Sequence, residues 1–137
     1  MALTHLVDTS VLTRLAAPTV RSVIAPLTTA GSVGRCTLTD LEIGYSARDE
    51  QEWQTLMAAI AAFQTVETDA SHIARARQVQ RLLASRRQRG RKVPDLVVAA
   101  VAEASDLVLF HYDHDFDLIA VVTGQRCDWV VPAGSVD

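Results

Sequence analysis

Residues 94–111 constrain the chain most. Pro94 opens a segment, Leu96-Val97-Val98-Ala99-Ala100-Val101-Ala102, that is of helical length and apolar nearly all round. Proline suits the first turn of a helix, where its missing N–H costs nothing. A helix without a polar face must be covered on every side. It is followed by Leu107-Val108-Leu109-Phe110-His111, an apolar run of strand length typical of the inside of a parallel sheet. A buried helix feeding a buried strand needs more strands beside it and more helices around it.

The remaining sequence supplies them. Leu3 to Val7 reads as a first strand, and Val11 to about Ala30 as two short helices separated at Pro18. Val33 to Thr37 is a second strand, followed by helices over Leu38 to Arg48 and Glu50 to Phe63. Phe63 to Glu67 forms a short edge strand. Thr68-Asp69-Ala70-Ser71 offers N-cap residues for a long helix to about Arg87, with a loop at Gly90. Asp128 to Val131 is the last strand, closed by Pro132. Strands separated by helices predict an α/β chain: a three-layer α/β/α sandwich around a central parallel sheet, as one domain over residues 1–137.

Composition agrees. With 49% hydrophobic and 21% charged residues, the chain is neither disordered nor fibrous. Two cysteines, Cys36 and Cys127, make no disulfide framework and read as small hydrophobes in strands. No apolar run approaches the ~20 residues that span a bilayer, and the start carries no signal-peptide pattern. The expected setting is the reducing cytoplasm, away from membranes.

Charge is unevenly spread. Between Asp69 and Asp95 there is no acid, and that gap holds Arg75, Arg77, Arg81, Arg86, Arg87, Arg89, Arg91 and Lys92, eight of the 13 basic residues. The stretch can be a solvated helix face, or it can receive a polyanion.

Four acids then fall at corresponding places. Asp8 ends the first strand, Glu42 lies in the first turn of the helix after the second, Asp95 in the first turn of the buried helix, and Asp113 just after the fourth strand. In right-handed βαβ units, the carboxyl ends of strands and the amino ends of the returning helices share one rim. If the first and fourth strands are neighbours, Asp8 and Asp113 flank the topological switch point, where open sheets bind ligands. At ~5 Å and an effective dielectric of ~20, two carboxylates repel by roughly 3 kcal/mol. Such a cluster either holds protons or holds a cation, and hard oxygen ligands suit Mg²⁺ or Mn²⁺. Each acid alone has an ordinary explanation. Asp8 can cap the next helix, Thr39-x-x-Glu42 fits a capping box, Asp95 suits a helix dipole, and Asp113 sits in a polar turn with His114, Asp115 and Asp117. Their coincidence on one rim is the informative fact.

These residues resemble a known family. Leu6-Val7-Asp8-Thr9-Ser10-Val11, Leu38-Thr39-Asp40-Leu41-Glu42-Ile43, Gly90 to Ala100, and His111 to Ala120 are similar to the four acidic motifs of PIN-domain ribonucleases, especially the VapC toxins of toxin–antitoxin pairs. The resemblance runs in order over essentially the whole chain. It implies an Mg²⁺- or Mn²⁺-dependent endoribonuclease that acts on structured RNA such as tRNA or rRNA and leaves a 5′-phosphate and a 3′-hydroxyl. Asp8, Glu42, Asp95 and Asp113 correspond to the catalytic quartet, with Asp8, Asp95 and Asp113 as metal ligands, and Ser10 and Asp115 as auxiliary residues. It also implies a homodimer and a VapB-type antitoxin that blocks the site, with DNA contacted only through the antitoxin. Arg86, Arg87, Arg89, Arg91 and Lys92 are the candidate RNA-binding residues. The rival reading is a PIN-like module that binds RNA or a partner without cutting.

Other candidates are weaker. His111 and His114 at i, i+3 lack a third zinc ligand at a recognisable spacing. His72 reads as a helix-surface residue. There is no glycine-rich nucleotide loop, and aromatics are only 5%, so a base-stacking platform is not expected. Trp53, Leu56, Met57 and Ile60 form a stripe at helical spacing that belongs to the core, or lines a groove for an apolar antitoxin helix.

Overall fold

In the computed structural model, which describes residues 2–88 and 92–137, the chain runs β1 (His5–Val7), α1 (Thr9–Leu12), α2 (Pro18–Thr29), β2 (Val33–Cys36), α3 (Thr37–Tyr45), α4 (Glu50–Ile60), β3 (Gln64–Val66), α5 (Ala70–Ser85), α6 (Val93–Ala104), β4 (Val108–His111), α7 (Asp115–Thr123) and β5 (Cys127–Trp129). The five strands form one sheet in the order β3-β2-β1-β4-β5, with every pairing parallel. The first and fourth strands are therefore central neighbours, Val7 opposite Phe110.

The short strands divide the core by alternation. Leu6 and Leu109 face the layer built from α5, α6 and α7, where Val98, Val101, Phe116 and Ile119 are buried. Val7 and Val33 face the other layer, against Val11, Val20, Ile24 and Ile60 from α1, α2 and α4. Helix α6 is buried from Asp95 through Ala102, as its apolar sequence requires. No helix among the described residues is long and apolar enough to cross a membrane.

The structure corrects several local expectations. The division into two helices at Pro18 holds, with Pro18 at the first turn of α2, but α1 is only Thr9–Leu12 and Pro26 is accommodated inside α2. Helix α3 begins at Thr37 behind the N-cap Cys36, earlier than expected. Glu42 therefore lies beyond the first turn, and the capping box from Thr39 does not form: Thr39 is buried within the helix. A capping box forms instead at α5, where the Asp69 amide donates to Nδ1 of His72 at 3.0 Å. That bond draws His72 inward, to 8% exposure, rather than leaving it on the helix surface. The polar residues from Asp115 open a seventh helix, α7, and the last strand ends at Trp129 rather than Val131.

Only Ile60 of the α4 stripe is buried; Leu56 and Met57 are half-buried, and Trp53 is 47% exposed. Trp53 lies against Gly44 of α3 so closely that a Cβ there would meet the indole nitrogen at 2.8 Å. With Leu41 and Tyr45 also exposed on α3, an apolar face remains open beside α4.

Candidate active site

Asp8 follows the last residue of β1 and serves as the N-cap of α1. Its amide donates to the Phe110 carbonyl at 3.0 Å, which fixes it to β4. Its Oδ2 accepts from both the amide (3.0 Å) and the hydroxyl (2.6 Å) of Ser10. The Ser10 hydroxyl in turn accepts from the Tyr112 amide at 2.9 Å, so one side chain joins the ends of the two central strands. Capping and site-building are thus the same act at Asp8. Oδ1 of Asp8 is buried and has no hydrogen-bond partner among the described residues.

Asp95 stands in the first turn of α6 and is 4% exposed. Its Oδ2 is likewise buried without a partner among the described residues. Burial, then the charges of Asp8 and Asp113, push its pKa up to about 8. A hydrogen bond with the Asp115 carboxyl acts in the same direction, because it requires a proton between the two acids. Asp8 is also raised, chiefly by burial and against the Ser10 hydrogen bonds.

Asp113 occupies the turn between β4 and α7. Burial works to raise its pKa, but the Asp115 amide at 2.9 Å and the Lys92 ammonium at 3.2 Å outweigh it and hold the carboxylate below its ordinary value. One carboxylate oxygen each of Asp95, Asp113 and Asp115 lie within 4.8 Å of one another. Glu42 reaches the same rim from α3, where Thr9 donates a 2.9 Å hydrogen bond to its Oε1. Its pKa is raised, first by burial and further by the Asp8 charge.

The rim expected from topology is therefore assembled. The tightest group combines Asp95 and Asp113 with Asp115, while Asp8 flanks it and Glu42 stands behind Thr9. Two buried carboxylate oxygens without partners, beside three more acids, form a donor set that fits a hard divalent cation. Sequence reasoning left out the Thr9–Glu42 bond, because nothing in the spacing shows residue 9 meeting residue 42.

The basic stretch divides. Arg75 makes a two-pronged ion pair with Glu103 of α6, at 2.7 and 3.1 Å, and is committed to packing α5 on α6. Lys92 turns into the acidic rim. Arg86 and Arg87 are exposed at the end of α5, whereas Arg89 and Arg91 lie outside the described residues. His111 and His114 form no zinc site with a third nitrogen or thiolate among the described residues: both rings pack on Trp129, with centroids 5.0 and 5.1 Å away.

Comparison with known proteins agrees with this geometry. The PIN domain family model matches residues 5–122. Ribonuclease VapC51 of Mycobacterium tuberculosis is 60% identical over 137 residues, covering all of both chains. Ribonuclease VapC21 of the same species is 39% identical, covering 98% of this chain and 99% of its own. Among solved structures, the DNA-bound VapBC complex of Salmonella typhimurium contains a chain that superposes with a TM-score of 0.76 at 17% identity, over 94% of this chain and 99% of that one. Shared sequence along the full length, the parallel sheet and the acidic rim at its switch point lead to one assignment: the chain belongs to the PIN-domain family, in its VapC branch.

Proposed function

We propose that the protein is a metal-dependent endoribonuclease toxin that cleaves structured cellular RNA, tRNA or rRNA, and is restrained by a VapB-type antitoxin. The observation that carries this reading is the convergence of Asp95, Asp113 and Asp115 oxygens within 4.8 Å, beside the unpartnered buried oxygens of Asp8 and Asp95. Full-length similarity to proteins named ribonucleases supports the substrate class.

Asp8, Asp95 and Asp113 would hold Mg²⁺ or Mn²⁺, with Asp115 as a further oxygen donor. When bound, the ion lowers the pKa of a water and neutralises charge that develops on the phosphate. Ser10 fixes the Asp8 carboxylate by two hydrogen bonds and so limits its rotation. Glu42, held by the Thr9 hydrogen bond, would accept a hydrogen bond from the attacking water. Lys92 offers the one ammonium paired with a rim acid among the described residues, and exposed Arg86 and Arg87 extend positive charge toward an RNA backbone. Arg89 and Arg91 belong to the same basic stretch by sequence. The open apolar face of α3 and α4 suits the apolar side of an antitoxin helix. Solved structures described as VapBC complexes support such a partner; contact with DNA through the antitoxin alone, and a toxin homodimer, complete the proposed assembly.

The test is RNA cleavage by the purified toxin. Cleavage should require added Mg²⁺ or Mn²⁺ and stop with EDTA. The double variant Asp8→Asn, Asp95→Asn should lose it while keeping the wild-type circular dichroism spectrum. Undiminished cleavage by that folded variant would reject the assignment. Metal-independent RNA binding with no cleavage would favour the non-catalytic module.

A further inference from the structure

Strand β4 has an alternating burial pattern in which Leu109 and His111 point into the α5–α7 layer, both 0% exposed. Alternation gives position 111 to an aliphatic residue. An imidazole stands there instead, packed between Phe116 and Trp129 with ring centroids 5.0 Å from each. Burying a polar ring is unfavourable unless its nitrogens are satisfied. Nδ1 accepts from the Asp113 amide at 3.2 Å; Nε2 makes no close hydrogen bond among the described residues, although the Cys127 backbone acts on the ring as an acceptor. A leucine would fill the strand's core position without that cost, and the bond accepted by Nδ1 is the close hydrogen bond that the ring adds.

The acceptor is placed where it matters. The chain leaves β4 through two successive amides tied to side chains: Tyr112 to the Ser10 hydroxyl at 2.9 Å and Asp113 to His111. Asp113 then accepts from the Asp115 amide through Oδ1, at 2.9 Å. The turn that carries both Asp113 and Asp115 thus hangs from the Ser10 hydroxyl and the imidazole. We propose that His111 is a positioning residue: its buried Nδ1 anchors the Asp113 main chain and thereby sets the spacing of the Asp113 and Asp115 carboxylates against Asp95. For its effect on the ion, this inference rests on the metal-centred reading above.

Two substitutions separate acceptor from bulk. His111→Leu keeps an apolar side chain and removes the acceptor. His111→Asn is smaller but returns an oxygen near the position of Nδ1. Thermal unfolding of both variants establishes that they fold. Amide hydrogen exchange at Asp113, followed by NMR without metal, reads the anchor directly. Binding of Mn²⁺ alone, by calorimetry, reads its consequence.

The expected result for His111→Leu is faster exchange at Asp113 and Mn²⁺ affinity lower by about tenfold or more, the size associated with residues that orient metal ligands. His111→Asn should recover both in large part. Unchanged exchange at Asp113 in a folded His111→Leu would overturn the proposal, as would equal losses in the two variants. If wild-type protein binds no Mn²⁺, the metal reading fails, while exchange at Asp113 still decides whether His111 is the anchor. Should His111→Leu not fold, the His111→Asn variant decides: wild-type exchange and affinity support the acceptor role, and loss of both rejects it.

Discussion

Two populations of carboxylates share this small molecule. Away from the rim, four acids are matched with arginine: Asp40 with Arg35 at 2.7 Å, Glu103 with Arg75 at 2.7 Å, Glu52 with Arg48 at 2.8 Å and Asp128 with Arg126 at 3.0 Å. At the carboxyl end of the sheet, Asp8 and Asp95 are more deeply buried than any of these partners, yet no arginine reaches them among the described residues. Among the described residues, Lys92 alone brings a positive charge into an ion pair with a rim acid, and it bonds to Asp113. The contrast teaches that depth of burial and charge pairing are separate here: the four paired acids are the shallower ones. At the rim the two deepest carboxyls carry raised pKa values instead of partners, as a site that exchanges protons for a cation would require.

The contrast can be attacked from both sides. The largest effect is expected at Arg35, whose side chain is 12% exposed and bonds to Asp40 and to the carbonyls of Ile60 and Phe63. Arg35→Ala strands a carboxylate and two carbonyls at once, and should cost about 3–5 kcal/mol in urea unfolding. A loss below about 1 kcal/mol would mean that body acids are no better compensated than rim acids.

At Asp95 the sign should reverse. A carboxyl whose pKa rises from 3.8 to about 8 on folding favours the folded state while it is protonated, fully below pH 4. That contribution is lost as pH rises through about 8. Metal-free wild-type protein should therefore lose stability across pH 4 to 8, apart from other titrations. Asp95→Asn should flatten that decline and melt about 3–5 °C higher at pH 9 for each kcal/mol recovered. Mn²⁺ should stabilise wild type most at the alkaline end, where no proton has to be displaced. Equal pH profiles for the two proteins would show that Asp95 is not under strain.

The smallest effect is expected on the exposed helix surface. Arg48 is 86% exposed in its pair with Glu52, so Arg48→Ala should shift stability by only about 0.3–0.5 kcal/mol, and less at high salt.

Much of this was legible in the sequence because burial writes itself as pattern. The apolar helix at 94–102 and the run at 107–111 demanded a covered parallel sheet, and the sheet's winding carried Asp8, Glu42, Asp95 and Asp113 to one rim. What stayed hidden depends on contacts between distant residues or on local competition. The capping box at Thr39 failed because α3 starts at Thr37, so that Thr39 is already helical when Glu42 follows. His72 is drawn inward by an amide three residues before it. Helix α7 was obscured because Asp113 to Asp117 have the composition of a turn, although acids also suit a first helical turn. Asp115 was visible as an auxiliary acid, but its closeness to Asp95 follows only from where α7 begins. His111 gave no signal beyond an unexpected polar residue closing an apolar strand.

The bond between Ser10 and Tyr112 spans 102 residues, and it has a consequence for the order of events during synthesis. A nascent chain leaves the ribosome with Asp8 and then Glu42 early, but the Tyr112 amide that anchors Ser10 arrives only once the fourth strand has emerged and docked beside the first. The acidic rim is therefore complete only when the two central strands have paired.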